Sequence, residues 1–154
     1  MVEKELRSWR KVFESDLPYI SYELKQEVEM PALIILDGPL GAGKTTFAKI
    51  FIDKENDEGT MSPTYSILYE SGDILHGDFY RIKERDEIIQ LEIGEYVENK
   101  QFFLVEWGKK FIHSIYKELP EEFKVYFLEI SINDVCSSNG LKSRNFELIE
   151  VSGL

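Results

Sequence analysis

Apolar positions change rhythm several times along the chain, and each rhythm predicts an element. Near the start, Leu6, Trp9 and Phe13 recur at helical spacing, while 9–13 fits an edge strand equally well. Ile20, Leu24 and Val28 line one face of a helix over 16–28, with Ser15 as a candidate N-cap. The unbroken apolar run 32–36 predicts a strand buried on both faces. A glycine-rich turn at 38–43 follows, then a helix over 44–53 and a polar loop over 55–61. Segments 65–70 and 74–78 flank Ser71-Gly72-Asp73 and predict a hairpin. The charged stretch 83–99 carries Ile88, Leu91 and Val97 as a surface helix that Gly94 weakens or divides. A second buried strand is predicted over 101–107 and a short helix over 111–116, ended near Pro120. Two final strands, 123–132 and 145–151, are joined by a turn containing Ser138-Asn139-Gly140. The order predicts an α/β fold in three layers, with a central, mostly parallel sheet extended by antiparallel hairpin strands.

A length of 154 residues predicts a single domain over 1–154, and 43% hydrophobic content supplies its core. Acidic residues outnumber basic ones 29 to 18, a formal charge of −11 that excludes a broad surface for nucleic acid or an anionic membrane. A small basic site remains compatible with that charge. Cys136 is the only cysteine, which excludes a disulfide framework or a cysteine-rich zinc site and fits a reducing cytoplasm. No apolar run reaches about 18 residues and the start lacks a signal pattern, so a soluble, cytoplasmic protein is expected.

Candidate chemistry concentrates at Gly38-Pro39-Leu40-Gly41-Ala42-Gly43-Lys44-Thr45, which satisfies G-x-x-x-x-G-K-[ST] between a buried strand and a helix. Glycines let the backbone curl around an oxyanion, and the loop amides with the helix start present positive potential to phosphates. In this pattern Lys44 neutralises β- and γ-phosphate charge and Thr45 offers its hydroxyl to Mg²⁺. Such a loop needs an acid at the end of a neighbouring strand; Glu106 and Asp78 are the candidates, against readings as a solvated strand-end carboxylate and a turn acid. Thr64, in Ser62-Pro63-Thr64, is either a switch hydroxyl or part of a turn. His76 reads as a hairpin residue, because no second ligand stands at a zinc spacing, and Trp107 reads as packing. Arg81 is either an electrostatic trigger or a partner for Glu84 or Asp86.

Gly38 to Phe47, Ser62-Pro63-Thr64-Tyr65, His76-Gly77-Asp78-Phe79-Tyr80-Arg81 and Leu104-Val105-Glu106-Trp107 together resemble the bacterial TsaE (YjeE) family over about 15–120. The resemblance implies a P-loop NTPase-like fold and Mg²⁺-dependent ATP hydrolysis; no arginine finger is evident inside the loop region, which predicts slow turnover alone and activation by a partner. It also implies action with TsaB and TsaD proteins, which attach threonylcarbamoyl to adenosine 37 of tRNA, so that tRNA is met only through the complex. By position it implies Lys44, Asp78 and Glu106 as catalytic residues and Thr45, Glu106 and Asp78 around the metal. ATP or ADP would lie against Gly38, Leu40, Gly41, Ala42, Gly43, Lys44, Thr45, Thr46, Thr64 and Trp107. The chain departs from the family at Pro39, where Asp is frequent, and at Leu91-Glu92-Ile93-Gly94. Residues 1–14 match poorly, which leaves the adenine pocket unassigned. Two other readings share the phosphate loop. A small-molecule kinase would need an acceptor pocket and a basic lid, for which 83–85 offer two basic residues; a binding module would hold ATP without cleaving it.

Overall fold

The computed structural model describes residues 1–52, 60–61, 67–136 and 138–154. Among them eight strands form one sheet in the order β1-β8-β7-β2-β6-β5-β4-β3. These are β1 (Val2–Val12), β2 (Ala32–Asp37), β3 (Thr60–Met61), β4 (Leu68–Ser71), β5 (Ile74–Asp78), β6 (Phe102–Glu106), β7 (Lys124–Cys136) and β8 (Lys142–Ser152). The central pairs β2–β6, β2–β7 and β5–β6 are parallel, and hairpin strands extend the sheet antiparallel on both sides. The expected α/β fold, mostly parallel at its centre, is the one observed.

Strand alternation divides the core into two layers. Ala32, Ile34 and Leu36 of β2, with Phe102 and Leu104 of β6, pack under α1 (Leu17–Glu27) and α2 (Lys44–Ile52). Leu33, Ile35, Phe103 and Val105 point the other way, onto α3 (Arg85–Gln90), α4 (Ile93–Val97) and α5 (Ile112–Lys117). Both β2 and β6 are therefore apolar at nearly every position. Helix α2 is fastened by fully buried Phe47 and Phe51, with ring centroids 5.6 Å from Phe146 and 5.0 Å from Phe102. Each such ring contributes about 2–3 kcal/mol by leaving water. The Lys25 ammonium donates to the Phe51 carbonyl at 2.9 Å, close to the negative end of α2. These contacts hold α2 along its length, and with it the phosphate loop that precedes it, against the sheet.

Three expectations are refined. The first segment is an edge strand, β1, paired only to β8; its register shifts between Glu5 and Arg7 and between Trp9 and Val12, with Lys11 at a φ of 56°. The helix over 83–99 is divided at Glu92, which takes a φ of 56°, and not at Gly94. Gly94 lies inside α4, where a Cβ would stand 3.3 Å from the Glu118 carbonyl oxygen, so it serves close packing. Thr60 and Met61 of the expected loop pair with Glu70 and Tyr69, while 55–59 fall outside the described residues. No helix among the described residues is long and apolar enough to cross a membrane.

Candidate functional site

The turn after β2 approaches its neighbours so closely that glycine is required. A Cβ on Gly38 would stand 2.5 Å from the Ile130 carbonyl oxygen of β7. Gly41 and Gly43 take φ values of 84° and 100°, the left-handed region that side chains disfavour. From this loop α2 starts at Lys44, whose side chain is buried. Its ammonium donates to the carbonyls of Gly38 and, at 3.1 Å, Pro39, and sits 3.7 Å from the Trp107 ring centroid.

In-register parallel pairing puts Asp78 of β5 and Glu106 of β6 side by side at their strand ends, with Leu36 of β2 on the other side of Glu106. Glu106 points to the same face as Leu104, toward the start of α2. There its Oε1 accepts from the Thr45 hydroxyl at 2.6 Å, and its Oε2 lies 2.7 Å from His76 Nε2. Asp78 is half-buried and accepts from the Tyr80 amide at 3.1 Å. Burial by itself would raise the Glu106 carboxyl; the hydrogen bonds from His76 and Thr45, with the nearby charges of His76 and Lys44, outweigh it and hold the pKa below the usual glutamate value. Burial pushes the Lys44 ammonium below the usual lysine range, against the opposing pull of Glu106, Asp37 and Asp78.

Trp107 follows Glu106 at a φ of 61°, rare for a tryptophan, and the turn this makes lays the indole between Lys44 and Tyr80, whose ring centroid is 5.1 Å away. The chain leaves this turn through Gly108, where a Cβ would stand 2.5 Å from Val105 Cγ1 and 3.2 Å from Ile35 Cδ1. Gly108→Ala should therefore lower stability by about 1–3 kcal/mol, the range for overpacking a core. A shift of the urea midpoint at unchanged slope measures it.

Lys44, Thr45, Glu106, Asp78 and Trp107 thus lie together at the phosphate loop, and Thr64 lies outside the described residues. Gly38 and Leu40 belong to the loop, with Leu40 exposed at its tip. Arg81 is exposed, and among the described residues it pairs with neither Glu84 nor Asp86. Two participants were not anticipated. His76 sits two residues before Asp78 on the same strand face, and that spacing is the signal for its approach to Glu106. Arg144 of β8 donates through Nε to the Ala42 carbonyl at 3.1 Å and through Nη2 to the Gly41 carbonyl at 3.0 Å; no local pattern announces it.

On the side of the loop away from Glu106, a cavity of about 490 Å³ opens between the end of β1, the loop and the β7–β8 turn. Phe13, Leu17, Thr46, Leu141, Arg144 and Phe146 line it with the loop glycines. A cradle for an anion, a hydroxyl–carboxylate pair beside it and a largely apolar cavity next door suit a ligand with a polyphosphate and a flat ring. Magnesium fits the donors present, since a hydroxyl and an ionised carboxylate are hard oxygen ligands. Among the described residues no group of three or more His, Cys, Asp or Glu forms a metal cage, and Mg²⁺ commonly shares water and phosphate oxygens instead.

Residues 13–139 match the family profile described as "TsaE: Threonylcarbamoyl adenosine biosynthesis protein TsaE". The chain belongs to the TsaE family. It is 33% identical over 124 residues to the tRNA threonylcarbamoyladenosine biosynthesis protein TsaE of Bacillus subtilis, covering 77% of this chain and 74% of that protein. Similarity to the protein of the same name from Rickettsia typhi is 32% over 125 residues, covering 77% and 78%. The Haemophilus influenzae protein is 33% identical over 92 residues, 56% of this chain and 58% of that protein. The crystal structure of Bacillus subtilis YdiB superposes with a TM-score of 0.57 at 27% identity, covering 99% of this chain and 89% of that one. TsaE proteins form a P-loop ATPase-like, nucleotide-binding family, and membership implies a role in tRNA threonylcarbamoyladenosine biosynthesis.

Proposed function

We propose that this chain is a single, cytoplasmic P-loop ATPase domain that binds and hydrolyses ATP in support of threonylcarbamoyl modification of adenosine 37 in tRNA, acting with TsaB-like and TsaD-like proteins. The observation that carries this reading is the 2.6 Å hydrogen bond from Thr45 to Glu106 beside the buried Lys44 ammonium, which joins the phosphate loop to the end of the neighbouring strand. In the proposed roles, Lys44 and the loop amides hold the phosphates and stabilise charge as it develops on them. Thr45 and Glu106, with Asp78 beside them, hold Mg²⁺, which when bound neutralises charge on the phosphate oxygens. Asp78 either completes that shell through water or orients the attacking water, and Trp107 covers the lysine. The base and ribose enter the cavity between Phe13, Thr46 and Leu141, which supplies the pocket that the sequence left unassigned.

Among the described residues, the guanidinium that reaches the loop is that of Arg144, and it is bonded to main-chain carbonyls. The phosphate loop contains no arginine of its own to place on the transferred phosphoryl group, which supports slow turnover by the isolated protein. Adding a TsaB–TsaD pair should raise ATP turnover at least about tenfold, a modest gain beside the roughly 10³–10⁵-fold that an added arginine finger supplies. Phosphate release with and without the pair measures this, and fast turnover by the isolated protein would count against partner control. Depleting the protein should lower threonylcarbamoyladenosine in total tRNA; an unchanged level would remove the pathway assignment and leave the nucleotide site intact.

A further inference from the structure

Arg144 lies beyond residue 139, where the match to the family profile ends, yet its side chain crosses to the phosphate loop more than a hundred residues away. Three of its nitrogens donate to carbonyls: Nε to Ala42 at 3.1 Å, Nη2 to Gly41 at 3.0 Å and Nη1 to Lys142 of its own strand at 2.6 Å. The first two acceptors belong to consecutive peptide groups, and a planar guanidinium matches such a pair with two near-parallel N–H bonds. Because each peptide is planar and trans, holding a carbonyl toward Arg144 turns the N–H of the following residue the opposite way. Fixing the Gly41 and Ala42 carbonyls therefore fixes the directions of the Ala42 amide, which donates within the loop to the Pro39 carbonyl at 3.0 Å, and of the Gly43 amide. Those peptides lie between two residues with positive φ, Gly41 and Gly43, where glycine gives the backbone wide freedom.

Arg144 is itself braced. Asn133 of β7 donates to Ser143 Oγ at 3.0 Å and to Asn145 Oδ1 at 2.9 Å, on either side of Arg144 in sequence. Asn145 Oδ1 also accepts from the Lys11 amide at 3.0 Å, which ties β1 to the same point. Ser143 is buried at 2% exposure, so this polar knot is part of the packed structure.

We propose that Arg144 is a positioning residue that sets two peptide planes of the phosphate loop, so that the loop is shaped and the Gly43 amide directed before nucleotide arrives. The inference rests on the reading of this loop as a nucleotide site. Preorganised donors bind more tightly than donors that must be ordered by the ligand. The test compares wild type with Arg144→Ala and Arg144→Lys by calorimetry with ADP and by amide hydrogen exchange without nucleotide. Arg144→Ala should weaken ADP at least about tenfold and speed exchange at 41–43 while β2 and β6 remain protected. Arg144→Lys keeps the charge and loses the fork, so it should fall with the alanine variant; if Arg144→Ala does not fold, the lysine variant carries the same comparison. Full affinity in Arg144→Lys would make charge, not positioning, the basis and overturn the proposal, as would affinity within twofold of wild type in Arg144→Ala. Failure of wild type itself to bind ADP or ATP would instead overturn the nucleotide reading.

Discussion

Replacing Lys44 with alanine is expected to weaken ATP binding by at least about 100-fold, the scale on which removal of one preorganised charge-stabilising donor is felt. The lysine is buried between the carbonyls of Gly38 and Pro39 and the face of Trp107, so its charge acts where water screens it little. Removing it also leaves Glu106, Asp37 and Asp78 without the cation that faces them all, and their field then opposes an incoming phosphate. The pH dependence has a definite sign. Nucleotide favours the protonated ammonium, and burial has lowered its pKa, so affinity should decline as pH rises through a value below the ordinary lysine range. Calorimetry with ATP or ADP in magnesium, repeated across alkaline pH, checks both. Affinity in Lys44→Ala close to wild type would remove the site.

Glu106→Gln should reduce ATP hydrolysis by roughly 100-fold or more while ADP binding without magnesium changes only a few-fold. The substitution keeps shape and leaves an oxygen for the Thr45 hydroxyl, but removes the charge that a divalent cation needs. A second consequence concerns folding. The native carboxyl has a pKa below its unfolded value, so its ionised form contributes stability that is fully present above the unfolded pKa of about 4.3 and lost as pH falls through the lower native one. The stability difference between wild type and Glu106→Gln should thus be flat above about pH 5 and change progressively below it. Urea unfolding across acidic pH measures that slope, and single-turnover hydrolysis measures the first effect. A variant that cannot hydrolyse ATP yet sustains tRNA modification would show that binding is sufficient.

Legibility in the sequence followed the locality of each interaction. Strands β2 and β6 are apolar at nearly every position because helices cover both their faces, and the loop between β2 and α2 needs glycines at fixed places. Those features leave continuous marks. Strand β1 does not, because its register shifts twice, near Leu6 and near Lys11; the interrupted alternation spaces Leu6, Trp9 and Phe13 like one face of a helix. The break at Glu92 was misplaced to Gly94 because glycine there answers to the nearby Glu118 carbonyl, a neighbour distant in sequence. Among residues of the candidate site, the placement of Lys44, Thr45, Asp78 and Glu106 beside one another was legible from motif and strand-end position. His76 was legible in principle from its two-residue spacing to Asp78. Arg144 was silent, since a side chain that bonds main-chain carbonyls from afar constrains no residue type at its targets.

The border formed by β1 has a bearing on how the protein behaves when concentrated. An eleven-residue outer strand carries a row of amides and carbonyls that another chain could extend into a fibril. Here Glu3, Lys4, Glu5, Arg7, Arg10 and Lys11 crowd that border, and the two register shifts with the left-handed Lys11 bend it out of plane. An incoming strand would have to straighten the bend and strip water from charges of both signs, so the border resists stacking of one copy upon another.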